Sequence, residues 1–123
     1  MNEENTEKLV KAYPNLYNNR SYFSFECGDG WFDLIDRLSE KLEGLIIQAN
    51  NTGHPFLELP IYASQVKEKY GYLSFYMSTA TDQMHEIIED ASKESSKICE
   101  VCGKTGKLNN GPWYQTLCEE HSK

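Results

Sequence analysis

Apolar residues recur at three- and four-residue steps from Trp31 to Ile46 (Trp31, Leu34, Ile35, Leu38, Leu42, Leu45, Ile46), while Asp33, Asp36, Arg37, Glu40 and Glu43 fill the positions between. This period predicts a long amphipathic helix, the strongest in the chain. Gly28-Asp-Gly30 breaks whatever precedes it and supplies a polar cap. Asp29, Asp33 and Asp36 crowd the first turns, where the helix dipole favours negative charge, so Glu26, Asp29 and Asp33 are read as capping and solvating groups rather than cation ligands. Asn50 to Gly53 closes the helix, and His54-Pro55 opens a loop reaching Pro60. A second helical stripe (Met84, Ile87, Ile88, Ala91) follows Thr79-Ala-Thr-Asp82, which resembles a capping box. A shorter helix is expected from Thr6 to Tyr13, with Leu9, Val10 and Tyr13 on one face and Pro14 ending it. Asn15 to Arg20 reads as a polar turn, and Tyr22 to Cys27 as a short strand or an extended lead-in.

Between the two long helices the period changes to two. Ser64 to Glu68 and Tyr72 to Met77 read as the strands of a β-hairpin turning at Lys69-Tyr-Gly71. Alternation sends Leu73, Phe75 and Met77 to the core and Tyr72, Ser74 and Tyr76 to the other face. The expected fold class is α+β: two long helices on a small antiparallel sheet over residues 1–97, with a C-terminal metal module over 98–123 packed on that core.

That module rests on Cys99-Glu-Val-Cys102 and Cys118-Glu-Glu-His121, two pairs with two residues inside each and fifteen between them. The spacing matches a four-ligand zinc site of the knuckle or treble-clef kind, with His in place of the last Cys. A two-residue gap lets one tight turn aim two side chains at one ion, and Gly103 suits that turn. Four protein ligands close the tetrahedron, so the expected cofactor is a structural zinc held by Cys99, Cys102, Cys118 and His121. The alternative is disulfide pairing, which would enlist the distant Cys27 and an oxidising compartment. The acidic start Met1-Asn-Glu-Glu-Asn is unlike a secretory signal. Cys27 is instead expected to be a buried small apolar residue.

Charge narrows the function classes. The net charge is −7, and residues 1–60 carry most of the excess acid. A general nucleic-acid surface needs clustered Lys and Arg, which this chain lacks. No run of 18 apolar residues suggests a membrane span, and a cytoplasmic protein is expected. Catalytic signatures are missing too. Gly103-Lys-Thr-Gly106-Lys107 has the wrong spacing for a phosphate loop, and in His85-Glu86-Ile-Ile-Glu89 a Glu stands where a zinc protease needs its second His. A non-enzymatic role is expected.

Three segments together, Cys27-Gly-Asp-Gly-Trp31, Val66-Lys-Glu-Lys-Tyr-Gly-Tyr-Leu-Ser-Phe-Tyr76 and the two ligand pairs, resemble a group of small uncharacterised phage and prophage proteins over about residues 14–123. The resemblance implies a phage setting in the host cytoplasm and carries no activity with it. By analogy, a small acidic phage protein binds host machinery or sequesters a nucleotide immune signal. Rings beside cations fit the second idea, because aromatic faces stack bases and lysines meet phosphate. Trp31, Lys67, Lys69, Tyr70, Tyr72 and Tyr76 are the candidate ligand residues, with Trp113, Tyr114, Lys104 and Lys107 as further rings and cations. The first expectation is therefore a non-catalytic anti-defence protein that captures a small nucleotide-like ligand. The alternatives are an adaptor or inhibitor docking on a host protein and, against the charge, a zinc-dependent transcription regulator. The tyrosine face would also suit a second copy of the chain in a homo-oligomer.

Overall fold

The computed structural model of the chain describes residues 1–18, 20, 23–52 and 60–122. The readings of Tyr22, of Gly53 as a helix stop and of the His54-Pro55 loop fall outside these. Three helices and two small sheets make an α+β fold, as expected: α1 (Glu3–Ala12), β1 (Phe25–Glu26), a 3₁₀ turn (Asp29–Trp31), α2 (Phe32–Thr52), β2 (Ala63–Lys69), β3 (Tyr72–Met77), α3 (Asp82–Ser95), β4 (Lys107–Asn110) and β5 (Tyr114–Leu117). Among the described residues, no helix is long and apolar enough to cross a membrane.

The period-3.6 stripe of α2 is the centre of the core. Leu34, Ile35, Leu38, Leu42 and Ile46 are buried, with Leu73 and Phe75 of β3 and Met84 and Ala91 of α3 in the same cluster. Ile87 and Ile88 pack against its margin, half-buried. Alternation in β3 holds: Leu73 and Phe75 are buried and Tyr72 and Tyr76 are exposed. Strands β2 and β3 pair antiparallel from Lys69↔Tyr72 outward, with an irregularity between Ala63 and Gln65. The turn between them is two residues long, Tyr70 and Gly71, with φ of 53° and 87°. Positive φ at both positions is the type I′ pattern whose twist matches the flanking strands.

Several details depart from the sequence reading. The first helix begins at Glu3 rather than Thr6, because the Asn2 side chain caps it by accepting from the backbone N–H of Asn5. Asp29 in turn accepts from the Asn2 backbone and the Asn5 amide, tying α1 to the start of α2. The cap of α3 is Thr81, two residues beyond Thr79 where the expected box begins, with Oγ1 accepting from Met84. The sheet is mixed: β1 pairs parallel with β2 through Phe25↔Val66 and Glu26↔Lys67, giving the order β1-β2-β3.

The segment read as a polar turn, Asn15 to Arg20, delivers two fully buried side chains, Leu16 and Tyr17. Tyr17 shares a hydrogen bond of 2.6 Å with Ser39 of α2 and packs edge-on against Phe25. Glu43, read as a solvent-facing helix position, is only 8% exposed. Its carboxylate accepts from the backbone N–H groups of Asn15 and Leu16 and from the Asn15 amide. A buried carboxylate is tolerated here because backbone donors satisfy it.

Candidate metal centre

Residues 97–122 form a compact unit against the end of the core. Cys99 and Cys102 flank a tight turn that closes with Gly103 N–H donating to the Cys99 carbonyl at 2.9 Å. Gly103 has φ of 84°, a conformation that favours glycine. The chain returns through an isolated bridge between Ile98 and Thr105, then forms the β4–β5 hairpin, with Lys107 opposite Leu117. Cys118 follows β5 directly, and His121 lies on the next turn, where Ser122 N–H donates to the Cys118 carbonyl. The loop rich in Asn, Gly and Pro thus holds two four-residue strands that its composition conceals.

The four expected ligands are brought together. Their ligand atoms all lie within 4.8 Å of one another. Cys102 Sγ is 3.7 Å from Cys118 Sγ, and His121 Nδ1 is 3.7 Å from Cys99 Sγ and 3.1 Å from Cys118 Sγ. Such mutual spacing leaves room for one ion at the centre. Cys99 and Cys118 are shifted towards the ligating thiolate, whereas Cys102, despite the Lys104 backbone N–H, is raised by burial and by its two sulfur neighbours. Burial opposes ionisation of Cys99, yet backbone N–H groups of Cys118, Cys102 and Val101 bring its thiol down to about 6. The neighbouring Cys118 and Cys99 sulfurs raise His121. Cys27 takes no part: it is buried in the main core, away from the cluster of Cys99, Leu117 and Cys118.

The candidate ligand residues divide. Lys67 and Lys69 stand opposite Ser74 and Tyr72 in the β2–β3 register, so Lys67, Lys69, Tyr72 and Tyr76 share the outer face of the hairpin. Lys67 Nζ lies 5.8 Å from the Tyr76 ring centroid and Lys69 Nζ 6.0 Å from that of Tyr70. Neither lysine forms an ion pair with another described residue. Tyr70, at the turn, is 68% exposed and meets Tyr114 of the metal module edge-on at 6.2 Å. Trp113, next to it, is 79% exposed.

Trp31 does not belong to this face. Its side chain is 0% exposed, and its indole N–H donates to the carbonyl of Ile98 at 2.9 Å. A ring enclosed on all sides offers no stacking surface, so the expectation that Trp31 receives a ligand is corrected. The sequence reading also missed Tyr114 as the partner of Tyr70, and Thr116, whose buried hydroxyl donates to the Gly71 carbonyl and ties β5 to the hairpin turn. Tyr114-Gln-Thr-Leu117 carries no apolar–polar alternation, and its burial runs exposed, exposed, buried, buried, so no periodic signal marked either residue. No protein family, curated protein or solved structure matches the chain.

Proposed function

We propose that this is a non-catalytic binding protein in which a structural zinc holds the C-terminal module against an α+β core, and that the outer face of the β2–β3 hairpin takes the ligand. Zinc is the ion favoured by a donor set of three thiolates and one imidazole. A tetrahedron with zinc–sulfur bonds of about 2.3 Å has sulfur–sulfur edges of about 3.8 Å. The Cys102–Cys118 separation of 3.7 Å fits that edge. Four protein ligands leave the ion no vacant position for water or substrate, which supports a structural role.

The observation that carries the ligand reading is the pair of cations Lys67 and Lys69. In a chain of net charge −7, they stand on one strand face, unpaired among the described residues, each beside a tyrosine ring. That combination suits an anionic ligand bearing a flat ring system, of which a nucleotide is the commonest. The resemblance to phage proteins makes an intercepted host nucleotide signal the ligand to try first. A second reading, docking on a host protein, draws on the exposed rings Trp113 and Tyr114 of the module and Tyr70 of the hairpin turn, which meets Tyr114 edge-on.

The test is a thermal-shift and calorimetric titration of the full chain with cyclic and linear purine nucleotides. A ligand at 100 times its Kd adds about 2.7 kcal/mol of stability. The nucleotide reading expects saturable binding by the wild type that Lys67→Glu/Lys69→Glu abolishes while zinc content stays unchanged. If no nucleotide shifts the wild type, or if the double variant binds as well as the wild type, the reading fails.

A further inference from the structure

The segment Cys27-Gly-Asp-Gly-Trp31 has the sequence of a helix start, but its contacts exceed what a helix start requires. Gly28 N–H donates to the Glu100 carboxylate at 2.9 Å, and Gly30 N–H donates to the Glu100 carbonyl at 2.8 Å. The Trp31 indole N–H donates to Ile98 O. Three donors from one turn therefore grip Ile98 and Glu100, the residues on either side of the first metal ligand, Cys99. The approach is too close for any side chain. A Cβ added at Gly30 would sit 2.1 Å from the Cys99 carbonyl oxygen, and one at Gly28 would sit 2.3 Å from that of Glu100. From the other side, a Cβ on Gly103 would meet the Gly30 carbonyl at 3.2 Å. The Cys99–Gly103 knuckle is seated with its backbone against the Gly28–Trp31 backbone, and Cys99 is fully buried there.

We infer that Gly28, Gly30 and Trp31 are positioning residues of the metal centre: the turn that opens α2 fixes the backbone that aims Cys99, so metal affinity is set in part by a segment some 70 residues upstream. A short two-strand module orders few residues by itself, and the ion would otherwise have to fix the knuckle unaided. Loss of a group that orients a ligand without touching the metal commonly weakens metal affinity by about 10–100-fold. On this account Trp31 is buried because it is the receptor for the knuckle, which also explains why it stands at the helix start rather than on the hairpin face.

The inference rests on the metal reading, and the two fail separately. Zn²⁺ affinity of the full chain is measured by competition with a chromogenic chelator, alongside circular dichroism and thermal unfolding. Gly30→Ala, which must displace the Cys99 backbone, is expected to weaken Zn²⁺ binding by about tenfold or more, as loss of an orienting partner does. Trp31→Phe keeps an aromatic ring but removes the indole N–H and part of the buried volume, and about a fivefold loss is expected. Leu38→Ala, a core change distant from the knuckle, destabilises the fold but should leave Zn²⁺ affinity within about twofold of the wild type, since it removes no orienting contact. Wild-type affinity in Gly30→Ala, or an equal loss in Leu38→Ala, overturns the inference. Absence of Zn²⁺ binding by the wild-type chain overturns the metal reading itself. Should Gly30→Ala fail to fold, Trp31→Phe decides alone.

Discussion

The indole N–H of Trp31 donates to the carbonyl oxygen of Ile98 at 2.9 Å, one residue ahead of the first metal ligand. A single side chain thereby belongs both to the core, where it is fully buried, and to the base of the metal module. The expected boundary at residue 97 is consequently crossed by hydrogen bonds from the turn that opens α2. Thr116 makes a second crossing at the hairpin turn, its hydroxyl 2.7 Å from the Gly71 carbonyl. Metal state and the Tyr70 end of the proposed ligand face are thus joined through packed, hydrogen-bonded backbone.

The alternation of β3 gives a paired test. Leu73 is 1% exposed, whereas Tyr72 lies on the outer face. Leu73→Ala should cost about 2–5 kcal/mol in a urea titration, the range for a truncated buried leucine. Tyr72→Ala should cost about 1 kcal/mol or less, the scale of one cross-strand pair. A larger loss at Tyr72 than at Leu73 would reverse the assigned faces.

Glu43 offers a test of the buried carboxylate. It accepts from the backbone N–H groups of Asn15 and Leu16 as well as from the Asn15 side chain. Glu43→Ala strands these donors in the interior, and a loss of about 2–4 kcal/mol is expected for bonds to a charged acceptor. Glu43→Gln retains one carbonyl acceptor and should lose less. Equal stability of Glu43→Ala and the wild type in denaturant would show that the Asn15–Leu16 turn is not held from α2.

Cys27 should be inert in the native state. Burial pushes its thiol up to about 12, from an ordinary value of 9.0. A folded pKa above the unfolded one means that burial favours the protonated fold below about pH 9, and that this contribution is lost as pH rises from 9 towards 12. At pH 8, with the metal bound, a thiol-specific reagent should label Cys27 only at the rate of global unfolding. Rapid labelling of a Cys99→Ser/Cys102→Ser/Cys118→Ser variant, in which Cys27 is the one remaining thiol, with helix content retained, would contradict the buried position.

Much of this fold is legible in the chain. The α2 stripe, the β3 alternation and the Cys and His spacing each report a contact that recurs at a fixed step, and all three lead to the observed elements. Leu16 and Tyr17 escape detection because they are buried by a turn, which has no period, and whose backbone is held by the distant Glu43 carboxylate. Trp31 is misread for a related reason: a ring at a helix start beside glycines looks the same whether it faces a ligand or the chain's own carboxyl-terminal module. The glycines at 28 and 30 were the clue, since three contacts within one turn demand close backbone approach, but their target lies about 70 residues on and no local pattern identifies it. The β4 and β5 strands are hidden by a composition of Asn, Gly and Pro that signals the turn and masks its four-residue arms.

The central claim is that a metal held by Cys99, Cys102, Cys118 and His121 orders the carboxyl-terminal unit. Native mass spectrometry of the intact chain, with elemental analysis, tests it most directly. One equivalent of zinc per chain is expected in the wild type and in Cys27→Ser, and none in Cys102→Ser. Structural zinc in small modules contributes on the order of 10–16 kcal/mol of apparent binding energy, so residues 98–122 should lose their hydrogen-exchange protection in Cys102→Ser. Wild-type protein free of metal, or equal zinc loss from Cys27→Ser and Cys102→Ser, would contradict the account.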